Sequence, residues 1–232
     1  MRAPLLDSAW LIGLCSLGLV GCGGAAPAQR GVPAGGLARG DAEGVPSLAA
    51  LPADGIDRTD FSEGMTRGWD LAKQTFVEQM PAVPAAHDST TLGAWSEGPL
   101  AAWLHHRTEV VEVARRALDE AAEESSEQRI VGGAIVGLMY EDVGRALLVL
   151  PLPEELNREP EIATVYRDVI AFQASPWIEY ARRAYRACRE NARIHEIEPY
   201  AEFCATRGAN LPEAREESHA TALDRVRVDE VE

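Results

Sequence analysis

Residues 61–81 read FSEGMTRGWDLAKQTFVEQMP, and the spacing of the apolar residues in this stretch decides the fold class. The apolar residues that recur every three or four positions are Phe61, Met65, Trp69, Ala72, Phe76 and Met80. That spacing places them on one face of an α-helix, which Pro81 is expected to end. Thr59 and Asp60 are both residue types that cap a first turn. The stretch therefore predicts an amphipathic helix that packs against other helices.

Prolines, glycines and short polar segments divide the chain up to about Arg207 into further segments with the same spacing. A second helix is expected to begin near Ser96 with Pro99 in its first turn, and a third to lie between the polar segment Glu123–Gln128 and Pro151. A fourth helix is expected to begin at Pro160. A fifth would be capped by Ser175 and begin at Pro176, and a sixth would end at Gly208. No segment keeps the period of two that is typical of strands. Residues 59–208 are therefore predicted to form an all-α domain of five to six antiparallel helices in hairpins, as a bundle or a short solenoid.

The third predicted helix combines glycines with charged residues. Gly133 and Gly137 lie one turn apart, which lets another helix approach closely. Tight helix packing is the favoured interpretation, and a ligand-facing groove is the alternative. The helix is long enough to be considered as a membrane span, but Glu141, Asp142 and Arg145 near its middle would each cost about 2.5–3.5 kcal/mol at the bilayer centre. It is therefore predicted to be a buried core helix.

The N-terminus has the features of an export signal. Arg2 and the amino group supply positive charge, and the apolar stretch Ala9–Gly21 is too short to span a bilayer. This stretch ends in LVGC, Leu19–Cys22, which resembles the lipobox of bacterial lipoproteins. The resemblance implies cleavage before Cys22, diacylglycerol on its thiol and acylation of the new amino terminus. The alternative is an ordinary secretory signal that happens to end at a cysteine.

The resemblance to lipoproteins also implies an order of segments along the chain. Residues 1–21 would be the signal peptide, and two or three acyl chains on Cys22 would anchor the protein stably in a bilayer. Residues 22–58 are rich in Gly, Ala and Pro and contain no aromatic residue, which predicts a flexible tether. Gly23, and not an acidic residue, follows the cysteine, which resembles the outer-membrane address of lipoproteins in enteric bacteria. The resemblance implies the outer membrane, facing the periplasm, and the inner membrane is the alternative. Residues 209–232, with seven acids and three arginines, are predicted to be a disordered, solvated tail.

The cysteine count favours one disulfide. Of the four cysteines, Cys15 would leave with the signal peptide and Cys22 would carry lipid. Cys188 and Cys204 then form an even pair in an oxidising compartment. A disulfide between them would contribute about 3 kcal/mol by loop closure. Two buried thiols are the alternative.

Charge excludes one class of partner and suggests another. The formal net charge is −15, so the basic surface that nucleic-acid binding requires is not expected. Against that background, one face of the fifth predicted helix carries Arg182, Arg186, Arg189 and Arg193. Such a stripe can bind an acidic partner or an anionic surface through bidentate contacts. The alternative is a solvated face in which the arginines pair with acids of the same helix, such as Glu179 and Glu190.

Motifs for catalysis and for cofactors are missing from the sequence. There is no Gly-x-Ser-x-Gly, no Ser-x-x-Lys, no glycine-rich phosphate loop and no Cys-x-x-Cys. His105 and Glu109 would share a helix face next to His106, but a zinc site needs a further protein ligand. We therefore expect no enzyme activity, no metal and no cofactor, and the two histidines are interpreted as surface residues.

A second resemblance lies in the C-terminal half. The segment GLMYEDVG, Gly137–Gly144, looks like the first helix of a tetratricopeptide repeat, although Pro151 and Pro153 interrupt the place of its second helix and no period of about 34 residues is present. The wider segment Tyr140–Leu211 is similar to helical regions in tetratricopeptide-like envelope proteins of deltaproteobacteria, including myxobacteria. The matching pieces are Pro151–Leu156, Tyr166–Asp168, Ala174–Pro176, Ala181–Tyr185 and Phe203–Cys204. The resemblance implies packed helix hairpins that bind protein segments and catalyse nothing.

These observations lead to one expectation about function. The chain is predicted to be an envelope lipoprotein, held to the bilayer through acylated Cys22, that serves as a non-catalytic interaction or scaffold module for another envelope protein. One alternative is a domain that binds a small ligand or a metal through His105, His106 and Glu109. Another is a structural, cell-wall-associated lipoprotein that binds peptidoglycan or lipid through the arginine stripe.

Overall fold

The computed structural model describes residues 46–212, and within them the chain is helical and contains no strand, which confirms the predicted all-α fold. The helices are α1 Glu63–Val77, α2 Ser89–Trp95, α3 Ala101–Ala121, α4 Ser126–Leu148, α5 Pro160–Ile194 and α6 Glu198–Ala209. Short 3₁₀ turns lie at Leu48–Ala50 and Glu154–Arg158. The predicted signal peptide, Cys22, most of the predicted tether and residues 213–232 of the predicted tail lie outside the described residues.

Helix α4 occupies the centre of the bundle. It contacts α1, α3, α5 and α6, and its longest interface is with α5. Bonds from Ser62 to the Gln128 side chain hold the starts of α1 and α4 together, whereas the Arg107 side chain reaches the backbone carbonyl of Glu78 at the end of α1. Helix α3 therefore runs antiparallel to α1 and α4. The hairpins α3–α4, α4–α5 and α5–α6 are those that short connections predict.

The core forms around α4 because this helix is apolar on almost every side. Its fully enclosed residues include Ile130, Val131, Ala134, Ile135 and Leu138. Each buried Val, Ile or Leu side chain among them contributes about 1.5–3 kcal/mol of hydrophobic stabilisation. None of the helices in the described region is both long and apolar enough to cross a membrane. The assignment of the third predicted helix to the core is therefore confirmed.

Glycines let α4 and α5 pack closely. A Cβ added at Gly137 would lie 2.4 Å from the Tyr185 ring, and one at Gly144 would lie 2.5 Å from the Ile178 side chain. A Cβ at Gly133 would meet Cys188 at 3.3 Å. The tight-packing interpretation of Gly133 and Gly137 is confirmed, because both positions face α5.

The second helix begins earlier than predicted. Helix α2 starts at Ser89, where the Asp88 side chain accepts a bond from the Thr91 amide at 2.9 Å. A π-helical segment, Ser96–Leu100, then joins α2 directly to α3. The predicted start near Ser96 is therefore wrong. Proline lacks an N–H and clashes with the carbonyl one turn before it, and the wider π turn accommodates Pro99 inside the helical path.

The predicted boundary at Ser175–Pro176 is also wrong, because both residues lie inside α5, a single helix of 35 residues. The Ser175 hydroxyl does not cap a helix; it donates to the carbonyl of Ala171, one turn back, at 2.8 Å. Ala174 and Trp177 on either side are buried in the core. Packing against α4 along this face offsets the cost of an internal proline, about 3 kcal/mol.

The first helix is capped by Ser62 and not by Thr59 or Asp60. The Ser62 hydroxyl accepts a bond from the Met65 amide at 3.2 Å, and the helix begins at the next residue, Glu63. The Asp57 carboxylate instead accepts bonds from the amide and hydroxyl of Thr59. Because those local bonds hold residues 57–59 in a turn, the helix starts after them.

Both ends of the helical domain lie further out than predicted. Leu51 and Ile56 are buried against the bundle, so residues 46–58 of the predicted tether belong to the domain. Gly208 lies inside α6, which ends at Ala209, and Leu211 beyond it is only 7% exposed. Apolar burial therefore extends the packed region to both ends of the described chain.

Candidate functional site

The α5–α6 hairpin carries the predicted disulfide and the predicted arginine stripe. Cys188 of α5 and Cys204 of α6 are disulfide-bonded, with their Cα atoms 6.2 Å apart, so the predicted pairing is present. Both cysteines are buried. The bond lies midway along α6 and fixes the distance between the two helices, which sets the width of the surface between them.

A cleft of about 310 Å³ opens between these two helices. Arg182, Arg186 and Arg189 line its α5 side. The other lining residues are Tyr185, Cys204, Ala205, Gly208 and Ala209. The structure therefore brings three of the four stripe arginines into one cleft, and the small residues of α6 leave space in front of them. Arg193 is exposed one turn further along α5 and does not line the cleft.

The arginines of the cleft differ in their partners. Arg182 pairs with Glu179 and donates through Nη2 to the Pro212 carbonyl at 2.9 Å. Among residues 46–212, no carboxylate lies within ion-pair distance of Arg186, Arg189 or Arg193. Within the same residues, the buried Nε of Arg189 has no hydrogen-bond partner. The alternative of a face neutralised by its own helix therefore holds for Arg182 alone.

The buried carboxylate of Glu141 lies beneath the cleft and is bound to Tyr185, which lines it. Glu141 is fully enclosed, and its oxygens accept bonds from the Tyr185 hydroxyl at 2.6 Å, from Arg145 Nε at 2.7 Å and from Arg207 Nε at 3.0 Å. A second Arg207 nitrogen, Nη2, lies 2.8 Å from the same carboxylate. Tyr185 therefore has two roles, because its ring lines the cleft while its hydroxyl is fixed to the core.

This network changes the proton affinities of its members. Burial, with a further contribution from the Glu141 charge, raises the pKa of Tyr185 well above its usual value. For Arg207, burial opposes the charged form, but Glu141 and Tyr185 outweigh it and the pKa is raised. The raised pKa values keep Tyr185 a neutral phenol and Arg207 a charged guanidinium at neutral pH. Sequence reasoning identified Glu141 and Arg145 as charges in a core helix, but it gave no signal for Arg207.

Tyr140 and Asp142, the two residues next to Glu141, make polar contacts with α3. Asp142 pairs with Arg107, which is 2% exposed and also donates to the carbonyl of Glu78. Burial raises the pKa of Asp142 even though the Arg107 charge opposes this. The Tyr140 hydroxyl donates to the Glu112 carboxylate of α3 at 2.8 Å. Helix α4 thus carries consecutive polar contacts to α3 and to the α5–α6 hairpin.

His105 and His106, which were considered as metal ligands, lie near different carboxylates. His105 lies 3.5 Å from Glu109, as the helical spacing predicts, whereas His106 points to Glu78 at 3.7 Å. In the part of the chain that the structure describes, no group of three or more His, Cys, Asp or Glu side chains is placed to hold a metal ion. The histidine pair therefore provides no complete metal site within residues 46–212.

Comparison with protein-family models, with curated proteins and with solved structures gave no match to this chain.

Proposed function

We propose that this protein is a lipid-anchored, non-catalytic interaction module of the bacterial cell envelope, and that it binds an acidic segment of a partner protein in the α5–α6 cleft. One observation carries the proposal. The cleft is lined by three arginines and by no acidic residue, on a chain whose formal net charge is −15. A local reversal of charge of this kind attracts acidic partners and raises their rate of association.

The chemistry of the cleft fits a carboxylate-bearing segment. A guanidinium binds a carboxylate through two parallel hydrogen bonds, and Arg186 and Arg189 have no such partner within the described residues. A volume of about 310 Å³ is at the small end of the range for ligand sites, roughly 300–1,000 Å³. It accommodates a few side chains of a partner segment. The disulfide and the Tyr185–Glu141 bond hold both walls in place, so little ordering is needed on binding.

The membrane anchor is supported by the LVGC motif at Leu19–Cys22. Replacement of Cys22 by Ser tests it, since a serine cannot be lipidated at this position. We expect the wild-type protein to sediment with membranes and to carry acyl groups by intact mass, and the Cys22→Ser protein to lose both properties. Sedimentation that persists in the variant, or a wild-type mass without acyl groups, would refute the anchor.

Crosslinking mass spectrometry in intact cells tests the partner. We compare wild type with a variant carrying Arg186→Glu and Arg189→Glu; the matched control is Arg167→Glu, an exposed arginine on α5 outside the cleft. We expect a small set of proteins to crosslink through acidic segments, with a yield at least about tenfold lower in the double variant and unchanged in the control. Equal yields in all three, or crosslinks to the cell wall alone, would overturn the proposal.

A further inference from the structure

The described chain ends beside the arginine cleft. The backbone carbonyl of Pro212, the last described residue, accepts a bond from Arg182 at 2.9 Å, and Arg182 lines the cleft. The residues just before it are also held, because Leu211 is buried and the Asn210 carbonyl accepts a bond from Arg145 at 3.0 Å. Whatever follows residue 212 therefore starts next to Arg182.

The sequence that follows has the opposite charge to the cleft. Residues 213–232 contain seven acids and three arginines, which gives a net charge of −4. Three of the acids, Glu213, Glu216 and Glu217, lie within the first five residues after Pro212. Their carboxylates are the group that the unpaired guanidinium faces of the cleft would bind in a bidentate manner.

The distances allow these acids to reach the arginines. Arg182 and Arg193 are eleven positions apart on α5, which corresponds to about 16 Å along a helix. An extended chain covers roughly 3.3 Å per residue, so about five residues after Pro212 span the whole stripe. Residues 213–217 are therefore the segment that lies within reach of Arg186 and Arg189.

We infer that the segment Glu213–Glu217 of the same chain occupies the α5–α6 cleft, through contacts of its carboxylates with Arg186 and Arg189. The inference rests on the proposed function in taking the cleft as a site for acidic segments, and it names the occupant when no partner is bound. A tethered segment is present at an effective concentration of the order of 1 mM. Even a weak cis contact, with a Kd of about 0.1 mM, would then fill about nine-tenths of the clefts and reduce the apparent affinity for an acidic partner about tenfold.

Limited proteolysis of the whole chain by an arginine-specific protease tests this inference. Arg215 lies inside the proposed segment, whereas Arg225 lies beyond it and serves as the internal reference. The variants are Arg186→Glu with Arg189→Glu, and the control Arg167→Glu. Both variants leave the sequence around Arg215 unchanged, so a difference in cleavage there reports on access to the segment and not on protease preference.

We expect cleavage after Arg215, relative to Arg225, to be about tenfold faster in the double variant than in wild type or the control. The substitutions Glu213→Lys, Glu216→Lys and Glu217→Lys change the sequence around Arg215, so this triple variant is compared with and without Arg186→Glu and Arg189→Glu. Cleavage after Arg215 should be slower when both arginines are replaced, because the segment and the cleft then have opposite charges. Equal cleavage in all variants with an unchanged thermal midpoint would overturn the inference. Protection that disappears on dilution would overturn it too, since the occupant would then be the tail of another molecule.

The two proposals can fail separately. If Arg186→Glu with Arg189→Glu abolishes crosslinking to a partner but leaves cleavage after Arg215 unchanged, the cleft binds partners and the cis contact is refuted. If cleavage accelerates while crosslinking is unaffected, the cis contact stands and the partner site is refuted. If neither changes, both are refuted.

Discussion

Replacement of Glu141 by Gln tests how much the buried network contributes to stability. The variant keeps the size of the side chain and removes its charge. Arg145 is 36% exposed and can turn to solvent, but Arg207 is only 11% exposed and would remain enclosed beside a neutral amide. Breaking a buried pair from one side costs about 3–5 kcal/mol. With a urea m-value of about 2 kcal/mol/M, the unfolding midpoint should fall by about 1.5–2.5 M.

Two comparisons decide whether the loss comes from the buried pair. Glu109→Gln makes the same change at a carboxylate that is 62% exposed, and it should alter the free energy of unfolding by no more than about 0.5 kcal/mol. Arg207→Gln combined with Glu141→Gln should cost at least about 1 kcal/mol less than the sum of the single losses, because the pair is lost only once. If Glu141→Gln behaves like Glu109→Gln in urea unfolding, the reasoning is refuted.

Three further predictions concern packing, pH and redox state. Gly137→Ala should lower the free energy of unfolding by about 2 kcal/mol, because its Cβ would lie 2.4 Å from an aromatic ring, whereas Gly98→Ala, with nothing within 4 Å, should leave it unchanged or raise it. Burial raises the pKa of Tyr185 well above its usual value of 10, so its contribution to stability is complete below pH 10 and is lost as the pH rises towards the folded value. This loss has a slope of about 1.4 kcal/mol per pH unit, and Tyr185→Phe should reduce the total slope in urea titrations at pH 9–11 by up to that amount. Tyr140 and Tyr200, whose pKa values burial also raises, should keep their own contributions. The Cys188–Cys204 bond joins residues 16 positions apart, and its reduction should lower the free energy of unfolding by about 3 kcal/mol in thermal or urea experiments. A variant with Cys188→Ser and Cys204→Ser should show the same loss but no response to reductant.

The sequence predicted the features that depend on local periodicity. Apolar residues at helical spacing identified the helices, and the same spacing placed the stripe arginines on one face of α5. The errors lie at prolines, where a local rule predicted a helix start. At Pro99 a π turn absorbs the residue, and at Pro176 the burial of Trp177 keeps the helix intact. At Pro176 tertiary packing outweighs a local preference, whereas at Pro99 a wider helical turn removes the clash, and a single sequence reveals neither.

The cleft and the network behind it were out of reach of sequence reasoning for a different reason. Glu141 and Arg207 are 66 positions apart, and no spacing rule connects residues on helices that are not neighbours in the chain. The cleft also depends on Ala205, Gly208 and Ala209, whose small size has meaning only once α6 lies against α5. The Glu141–Arg145 spacing, one helical turn, was the part of the network that sequence could have identified as an ion pair.

The polar residues of α4 connect the stability of the bundle to the geometry of the cleft. Tyr140, Glu141 and Asp142 are consecutive, so their side chains point in directions about 100° apart, and each meets a partner on another helix. Rotating α4 by one residue would leave these groups against apolar neighbours, at about 1–3 kcal/mol for each lost bond. Three such losses approach the whole stability of a domain, about 5–15 kcal/mol. These bonds therefore favour one orientation of α4 about its own axis. Because the Tyr185 hydroxyl is bound to Glu141, the same orientation also fixes the position of the Tyr185 ring that lines the cleft.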